Sequence, residues 1–124
     1  MKCLSLLFFV TTFLAGCSSA DAEFGRMSEQ EAYELIKSGS DVIVLDVRSE
    51  DEFLTGHIAG SILLPVDEIE QRAIDVLADK DATILVICRA GNRSLTASQL
   101  LVDLGFRNVY EIGGIMSWPG EIVE

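Results

Sequence analysis

The chain has 124 residues, which is enough for one domain with a modest hydrophobic core. It is strongly acidic, because nine Lys and Arg stand against twenty Asp and Glu and give a formal net charge of −11 at pH 7. A field of that sign excludes nucleic acid as a general partner, and the chain has no basic stripe for anionic lipid.

The first segment has the features of a bacterial export signal. Lys2 precedes an apolar run from Leu4 to Ala15, which is too short to span a bilayer. The run ends in Leu14-Ala15-Gly16-Cys17, which resembles the cleavage site of a bacterial lipoprotein. This resemblance implies that residues 1–16 are removed as a signal peptide and that Cys17 carries lipid. The alternatives are an ordinary signal cut elsewhere or a retained anchor.

Processing at this site would leave a single free thiol. Cys3 would be removed and Cys17 would be used for lipid, so Cys88 alone of the three cysteines would remain. Loss of Lys2 would bring the net charge to −12, since eight basic residues would face twenty acidic ones. Because exported proteins usually pair their cysteines, a lone thiol requires a chemical reason.

Residues 17–26 are small and mostly polar, and we predict that they form a tether ahead of a domain at 27–124. Acyl chains on Cys17 would hold the protein to a membrane of the cell envelope. Ser18, directly after the lipidated cysteine, favours the outer membrane, facing the periplasm, if the host is Gram-negative.

The rest of the chain alternates predicted helices and strands. A capping box at Ser28–Glu31 begins the first helix, and Gly39 ends it. The later elements are a strand (Val42–Leu45), a short helix (Glu50–Leu54), a strand (Ile62–Leu64) ended by Pro65, a helix (Asp67–Leu77) with Ile69, Ala73, Ile74 and Leu77 on one side, a strand (Thr83–Ile87), a helix (Asn92–Leu104), a strand (Val109–Tyr110) and a helical turn from Gly113 to Trp118. This order predicts an α/β fold with a mostly parallel central sheet of about five short strands, covered by helices on both faces.

The most informative stretch is the loop Cys88-Arg89-Ala90-Gly91-Asn92-Arg93-Ser94, between a strand and a helix. Backbone N–H groups converge in such a turn, and the helix dipole adds partial positive charge. Together with the cations of Arg89 and Arg93, this setting favours the thiolate and forms an anion pocket. The loop therefore predicts a cysteine nucleophile acting on an anionic substrate. The alternative is a buried core cysteine.

Three stretches of the chain together resemble a single-domain rhodanese. They are the Cys88 loop, the segment Val109–Ile115 with Trp118, and Leu45-Asp46-Val47-Arg48-Ser49 followed by Glu52-Phe53, Gly56-His57-Ile58, Gly60-Ser61 and Pro65. The resemblance implies the rhodanese-like fold and a sulfurtransferase activity without cofactor or metal. Cys88 would take the outer sulfur of a small anionic donor such as thiosulfate as a persulfide and pass it to a thiol or cyanide.

The resemblance also implies roles for the loop residues. Arg89 is expected to bind the anionic leaving group. Backbone N–H groups are expected to hold the thiolate and the terminal sulfur of the persulfide, and they belong to Arg89, Ala90, Gly91, Asn92, Arg93 and Ser94. Arg93 is expected both to contact substrate and to tie the loop to a carboxylate such as Asp46.

Four residues outside the loop are expected to support the site. Asp46 and Arg48 are expected to brace the loops around it, and Trp118 is expected to wall the pocket. His57 is expected to be structural, because a thiolate that the loop already stabilises needs no general base. The acidic groups Glu50-Asp51-Glu52 and Asp67-Glu68-Glu70 are expected to be solvated helix starts.

Two alternative functions stay open. A phosphatase or arsenate reductase would place its anion-binding arginine six positions after the cysteine, whereas Arg93 is five positions after Cys88 and Ser94 is the sixth. The shorter spacing favours attack on sulfur. The other alternative is a persulfide or redox relay, or a binding module, for another envelope protein. The sequence leaves the physiological donor and acceptor open.

Overall fold

The computed structural model describes residues 23–124, so Cys17, the predicted signal peptide and most of the predicted tether lie outside the described residues. The helices are α1 (Glu29–Lys37), α2 (Glu50–Leu54), α3 (Ile69–Leu77) and α4 (Asn92–Asp103). The strands are β1 (Gly25–Arg26), β2 (Val42–Asp46), β3 (His57–Ile58), β4 (Ile62–Leu63), β5 (Thr83–Cys88), β6 (Asn108–Gly114) and β7 (Ile122–Val123). Short 3-10 helices span Val66–Glu68 and Ile115–Ser117.

The main sheet consists of five parallel strands in the order β1-β6-β5-β2-β4. Strand β5 lies at the centre, hydrogen-bonded to β2 on one side and to β6 on the other. It ends at Cys88, which is paired with Gly114 of β6. The predicted α/β class and the predicted parallel sheet are therefore confirmed.

Alternation along β5 divides the core between the two faces of the sheet. Ile84 and Val86 pack with the apolar sides of α3 and α4, whereas Leu85 and Ile87 pack with Ala32 of α1. Because both faces of β5 are buried, the strand is a continuous apolar run rather than an alternating one. The prediction of helices on both faces is confirmed.

Capping boxes begin α1 and α2, the first two helices of the chain. As predicted, Ser28 Oγ accepts a hydrogen bond from the backbone N–H of Glu31, and the Glu31 carboxylate accepts one from the backbone N–H of Ser28. Ser49 and Glu52 form the same arrangement at the start of α2. The second capping box fixes the direction of the Glu52 side chain, which lies beside the Cys88 loop.

The structure differs from the sequence prediction in strands β1, β3 and β7 and on one side of α3. Gly25 and Arg26, assigned to the tether, form β1 and pair with Tyr110 and Glu111 of β6. The antiparallel pair β3–β7 was not predicted either. The prediction that Ile74 lies on the buried side of α3 is wrong, since it is 48% exposed. At 100° per residue it points about 140° away from Ile69.

None of the helices in residues 23–124 is long and apolar enough to cross a membrane.

Candidate active site

Cys88 lies at the carboxyl end of the central strand, where the chain turns into α4. Its thiol is buried, and the residue is 1% exposed. The backbone N–H of Gly91 donates to Sγ over 2.9 Å. Gly91 precedes α4 with a φ of 104°, a left-handed conformation that glycine adopts without a steric penalty. The loop therefore curls back over the sulfur and places the amino-terminal end of a twelve-residue helix beside it.

A second hydrogen bond connects the thiol to a buried carboxylate. The Cys88 thiol donates to Ser94 Oγ over 3.4 Å, and the Ser94 hydroxyl donates to Glu111 Oε2 over 2.6 Å. Glu111 also accepts from the backbone N–H of Gly113 at 3.0 Å and from Arg26 Nε at 3.2 Å. Cys88, Ser94 and Glu111 are buried, so water has little access to the bonds that join them.

Arg93 is held by a carboxylate of α2. Its Nη1 donates to Glu52 Oε1 over 2.6 Å and its Nη2 donates to Oε2 over 2.9 Å. The hydrogen bond with Arg93 lowers the pKa of Glu52 to about 2. The same bond raises the pKa of Arg93, and the nearby charges of Cys88 and Asp46 act in the same direction. Two expectations are corrected here, because Arg93 pairs with Glu52 rather than Asp46 and Glu52 is not a solvated helix start.

Asp46 is instead the partner of Arg48. Arg48 Nε lies 2.9 Å from Asp46 Oδ1, and Arg48 Nη2 lies 2.7 Å from Asp46 Oδ2. Both side chains of this pair are buried. Arg48 Nη2 also donates to the carbonyl of Gly56 over 2.7 Å. This side-chain pair ties the end of β2 to the segment after α2, which is consistent with the bracing role that the family resemblance implies.

His57 and Trp118 lie among structural contacts. His57 Nδ1 is 2.9 Å from the carbonyl oxygen of Phe53, and the His57 ring stacks on the Phe53 ring with centroids 3.7 Å apart. Trp118 packs edge-to-face on Tyr33 of α1, with centroids 5.8 Å apart. Within residues 23–124, neither side chain is hydrogen-bonded to the Cys88 loop, so their contacts favour structural roles.

The outer part of the loop faces solvent. Arg89, Ala90 and Asn92 are exposed, and in the described part of the chain Arg89 forms no salt bridge. Its guanidinium is therefore available to an anion from solvent, unlike that of Arg93. A cavity of about 430 Å³ opens next to Arg93, between the start of α2 and the 3-10 helix Val66–Glu68. The described residues contain no cluster of His, Cys, Asp and Glu that could hold a metal ion.

The family of rhodanese-like domains matches residues 28–121, which includes the Cys88 loop, the buried Asp46–Arg48 pair and the Gly113-Gly114 segment. The chain belongs to the rhodanese-like family. This rhodanese-like domain is 35% identical to thiosulfate sulfurtransferase GlpE of Coxiella burnetii over 96 residues, which cover 77% of the chain and 87% of the relative. It is 37% identical to the GlpE of Pseudomonas entomophila over 108 residues, which cover 83% of the chain and 95% of the relative.

A solved structure supports the same assignment. The crystal structure of a rhodanese-related protein from Thermoplasma volcanium matches with a TM-score of 0.69 at 35% identity, and the match covers 81% of this chain and 98% of the other. The predicted rhodanese-like fold is thus confirmed, and the domain is homologous to sulfurtransferases.

Two acidic residues of this rhodanese-like domain were missed by the sequence analysis. Glu52 was read as a solvated helix start, although Ser49 three positions before it is the signature of a capping box. Glu111 was not singled out. It alternates with Tyr110 along β6 and shares a face with Val109, so a strand period of two residues could have indicated its burial.

Proposed function

We propose that this rhodanese-like domain is a sulfurtransferase in which Cys88 carries the sulfur. The thiolate Sγ attacks the outer sulfur of a small anionic donor such as thiosulfate, and a bond between Sγ and that sulfur forms. The bond between the two sulfur atoms of the donor breaks, and sulfite leaves with the electron pair. A thiol acceptor, as its thiolate, or cyanide then attacks the outer sulfur of the persulfide, and Cys88 returns as the thiolate.

The observation that carries this proposal is the position of Cys88 Sγ. The sulfur lies at the carboxyl end of the central strand, hydrogen-bonded to the N–H of Gly91 and next to the amino-terminal end of α4. This N–H group and the helix terminus stabilise negative charge on the thiolate or on the outer persulfide sulfur. The names of the relatives, thiosulfate sulfurtransferases, support a donor of the thiosulfate type.

The two loop arginines have different parts in this proposal. Arg89 is exposed and is free to bind the sulfonate end of the donor and then the leaving sulfite. Arg93 is held by Glu52 and adds a fixed positive charge near Sγ. Replacing Arg89 is therefore expected to weaken the reaction of anionic donors more than that of neutral ones.

The loop geometry disfavours a phosphatase or arsenate reductase. In those enzymes an arginine at the sixth position after the cysteine would surround the oxyanion. Here that position is Ser94, which is buried and whose hydroxyl donates to Glu111. Ser94 carries no positive charge, and its single hydroxyl proton is already donated to Glu111, so it does not replace that arginine in binding a tetrahedral oxyanion.

The variant Cys88→Ala tests the central claim. With thiosulfate as donor and cyanide, glutathione or a dithiol as acceptor, we expect the variant to lose at least about a thousand-fold in rate. Thiosulfate-treated wild-type protein should gain about 32 Da on Cys88 by mass spectrometry, and the variant should gain nothing. A mixed disulfide on Cys88 without added sulfur would favour a redox relay instead, and equal activity of the two proteins would refute the proposal.

We also propose that lipid on Cys17 attaches the domain to the cell envelope, on the outer membrane facing the periplasm in a Gram-negative host. The support is the sequence Leu14-Ala15-Gly16-Cys17 with Ser18 after it. Expressed as the full chain in a Gram-negative bacterium, the wild type should fractionate with the outer membrane, whereas Cys17→Ala should not. Cys3→Ala is the matched control and should behave as wild type. Equal fractionation of the Cys17 and Cys3 variants would contradict the anchor.

A further inference from the structure

The hydrogen bonds from Cys88 through Ser94 to Glu111 form a chain with a fixed direction. An ionised carboxylate is only an acceptor, so the 2.6 Å bond between Ser94 Oγ and Glu111 Oε2 must use the single hydroxyl proton of Ser94. What Ser94 offers to Cys88 is therefore a lone pair of Oγ, 3.4 Å from Sγ. A lone pair stabilises the thiol, which donates to it, and does not stabilise the thiolate.

The carboxylate of Glu111 also opposes ionisation of Cys88 through its charge. The two hydrogen bonds place Oε2 within about 6 Å of Sγ. Glu111 is 3% exposed and Ser94 is fully buried, so little water screens this pair. Arg26 compensates the carboxylate only in part, because its side chain is 67% exposed.

Other charges near Cys88 act on its ionisation as well. The cations, Arg93 and Arg89, favour the thiolate, and Glu52 neutralises part of the Arg93 charge. Asp46, at the end of β2 opposite Ile87, is paired with Arg48, and Glu29 of α1 accepts from the N–H of Gly114. Each charged group in this set except Arg89 and Glu29 has an oppositely charged side-chain partner, and among the described residues only Glu111 is joined to Sγ through a side-chain hydroxyl.

We propose that Glu111 is a positioning residue that, through Ser94, controls the protonation of Cys88. With Glu111 in place, Cys88 stays a thiol up to a higher pH than it would if only the Gly91 N–H and Arg93 acted on it. On ionisation, the thiol proton leaves to a base in solvent, and Glu111 keeps its negative charge. Glu111 thereby limits the fraction of thiolate that is available to attack a donor near neutral pH. This inference deepens the proposed function and depends on it for its biological meaning.

The variant Glu111→Gln tests the inference, because it removes the charge and frees the Ser94 hydroxyl to donate to a thiolate. We measure the rate of Cys88 alkylation by iodoacetamide against pH, with thermal unfolding as a check of the fold. A buried unit charge about 6 Å away predicts that the pH of half-maximal alkylation falls by about one unit or more in the variant. An unchanged or higher midpoint would overturn the inference.

A second variant increases the effect of the Glu111 charge instead of removing it. Arg26→Met removes the cation that faces Glu111 Oε1 and leaves Ser94 untouched, so the midpoint should rise by a few tenths of a pH unit. Opposite shifts in the two variants cannot come from a general loosening of the site. If Glu111→Gln does not fold, a fall or no change in Arg26→Met would overturn the inference by itself.

The role of the hydroxyl is separable from that of the charge. In the background of Ser94→Ala, the Glu111→Gln change should shift the midpoint by less than it does in the wild type, since only the charge remains to act. Alkylation needs no sulfur donor, so these profiles stand apart from the sulfur-transfer assay. A shifted profile together with a failed transfer assay would refute only the proposed function.

Discussion

At the scale of single residues, the ion pair between Glu52 and Arg93 fixes one cation next to Cys88. The pair is bidentate, with oxygens and nitrogens 2.6 and 2.9 Å apart. Its two side chains are only partly exposed, at 26% for Glu52 and 37% for Arg93. Because the Ser49–Glu52 capping box holds the carboxylate from the other side, Arg93 has little freedom to turn toward solvent.

The pKa of Glu52 makes this pair a source of pH-dependent stability. Since its pKa is lowered from 4.5 to about 2, the pair contributes fully above pH 4.5 and its contribution is lost as the pH falls towards 2. The variant Glu52→Gln should lower the free energy of unfolding by about 1 kcal/mol at pH 7. Urea unfolding from pH 7 to pH 3 should show the difference from wild type shrinking below pH 4.5.

The exposed neighbour Glu50, in the same first turn of α2, provides the control. Glu50→Gln should change the free energy of unfolding by less than about 0.5 kcal/mol at either pH. A difference between Glu52→Gln and wild type that stays constant down to pH 3 would contradict the role assigned to the ion pair.

Residue types at the site were predictable from the sequence, but their pairings were only partly so. A supporting role for Asp46 and Arg48 was expected from the family resemblance, and the two residues are only two positions apart. The partner of Arg93 is 41 positions away, and that of Ser94 is 17 positions away. Such pairings depend on how two elements pack against each other, and the residue types alone do not determine that packing.

At the scale of elements, β6 shapes the loop as much as β5 does. Gly114, at the end of β6, lies so close to the loop backbone that a Cβ there would overlap the carbonyl of Arg89. Glycine at position 114 therefore has a packing reason, because the backbone of β6 approaches the backbone of the Cys88 loop with no room for a side chain between them.

The variant Gly114→Ala should therefore push the Cys88 loop out of place. We expect a loss of about 3 kcal/mol in the free energy of unfolding, together with faster alkylation of Cys88 as its burial decreases. Gly60→Ala is the matched control, because Gly60 has a φ of +84° but no heavy atom within 4 Å of the added Cβ. Backbone strain alone should cost it about 1 kcal/mol, and a similar loss in both variants would contradict the packing argument.

Strands β2, β4 and β5 and most of the helices were predicted within a residue or two, whereas β6 was predicted too short and β1, β3 and β7 were not predicted. Strands β2 and β5 and helices α2 and α4 follow from continuous apolar runs or capping residues. Strands β1, β3 and β7 have two residues each, and no hydrophobic period is visible over so short a length. They form because neighbouring backbone offers hydrogen bonds: β7 pairs with β3, which lies 65 positions earlier in the chain.

At the scale of the whole molecule, the domain combines an acidic surface with a cationic site. The chain carries a net charge of −11, and the two arginines of the loop stand at the point where an anionic donor would approach. Salt screens the general repulsion over a Debye length of about 8 Å, so the local cations determine what binds at short range. Under the proposed function, we expect the acidic surface and the basic loop together to favour small anions over large polyanions.

The position of β5 at the centre of the sheet has a consequence for motion. Its backbone is hydrogen-bonded to β2 and β6 on both sides, so amides such as those of Val86 and Ile87 exchange with solvent only when the sheet opens as a whole. Two residues later, Arg89 and Ala90 are exposed, and their amides open locally. Cys88 lies at the boundary between the hydrogen-bonded strand and the exposed loop. In the proposed reaction, a sulfur atom would therefore be loaded and unloaded by rearranging a few residues of the loop, while we expect the central strand to stay closed.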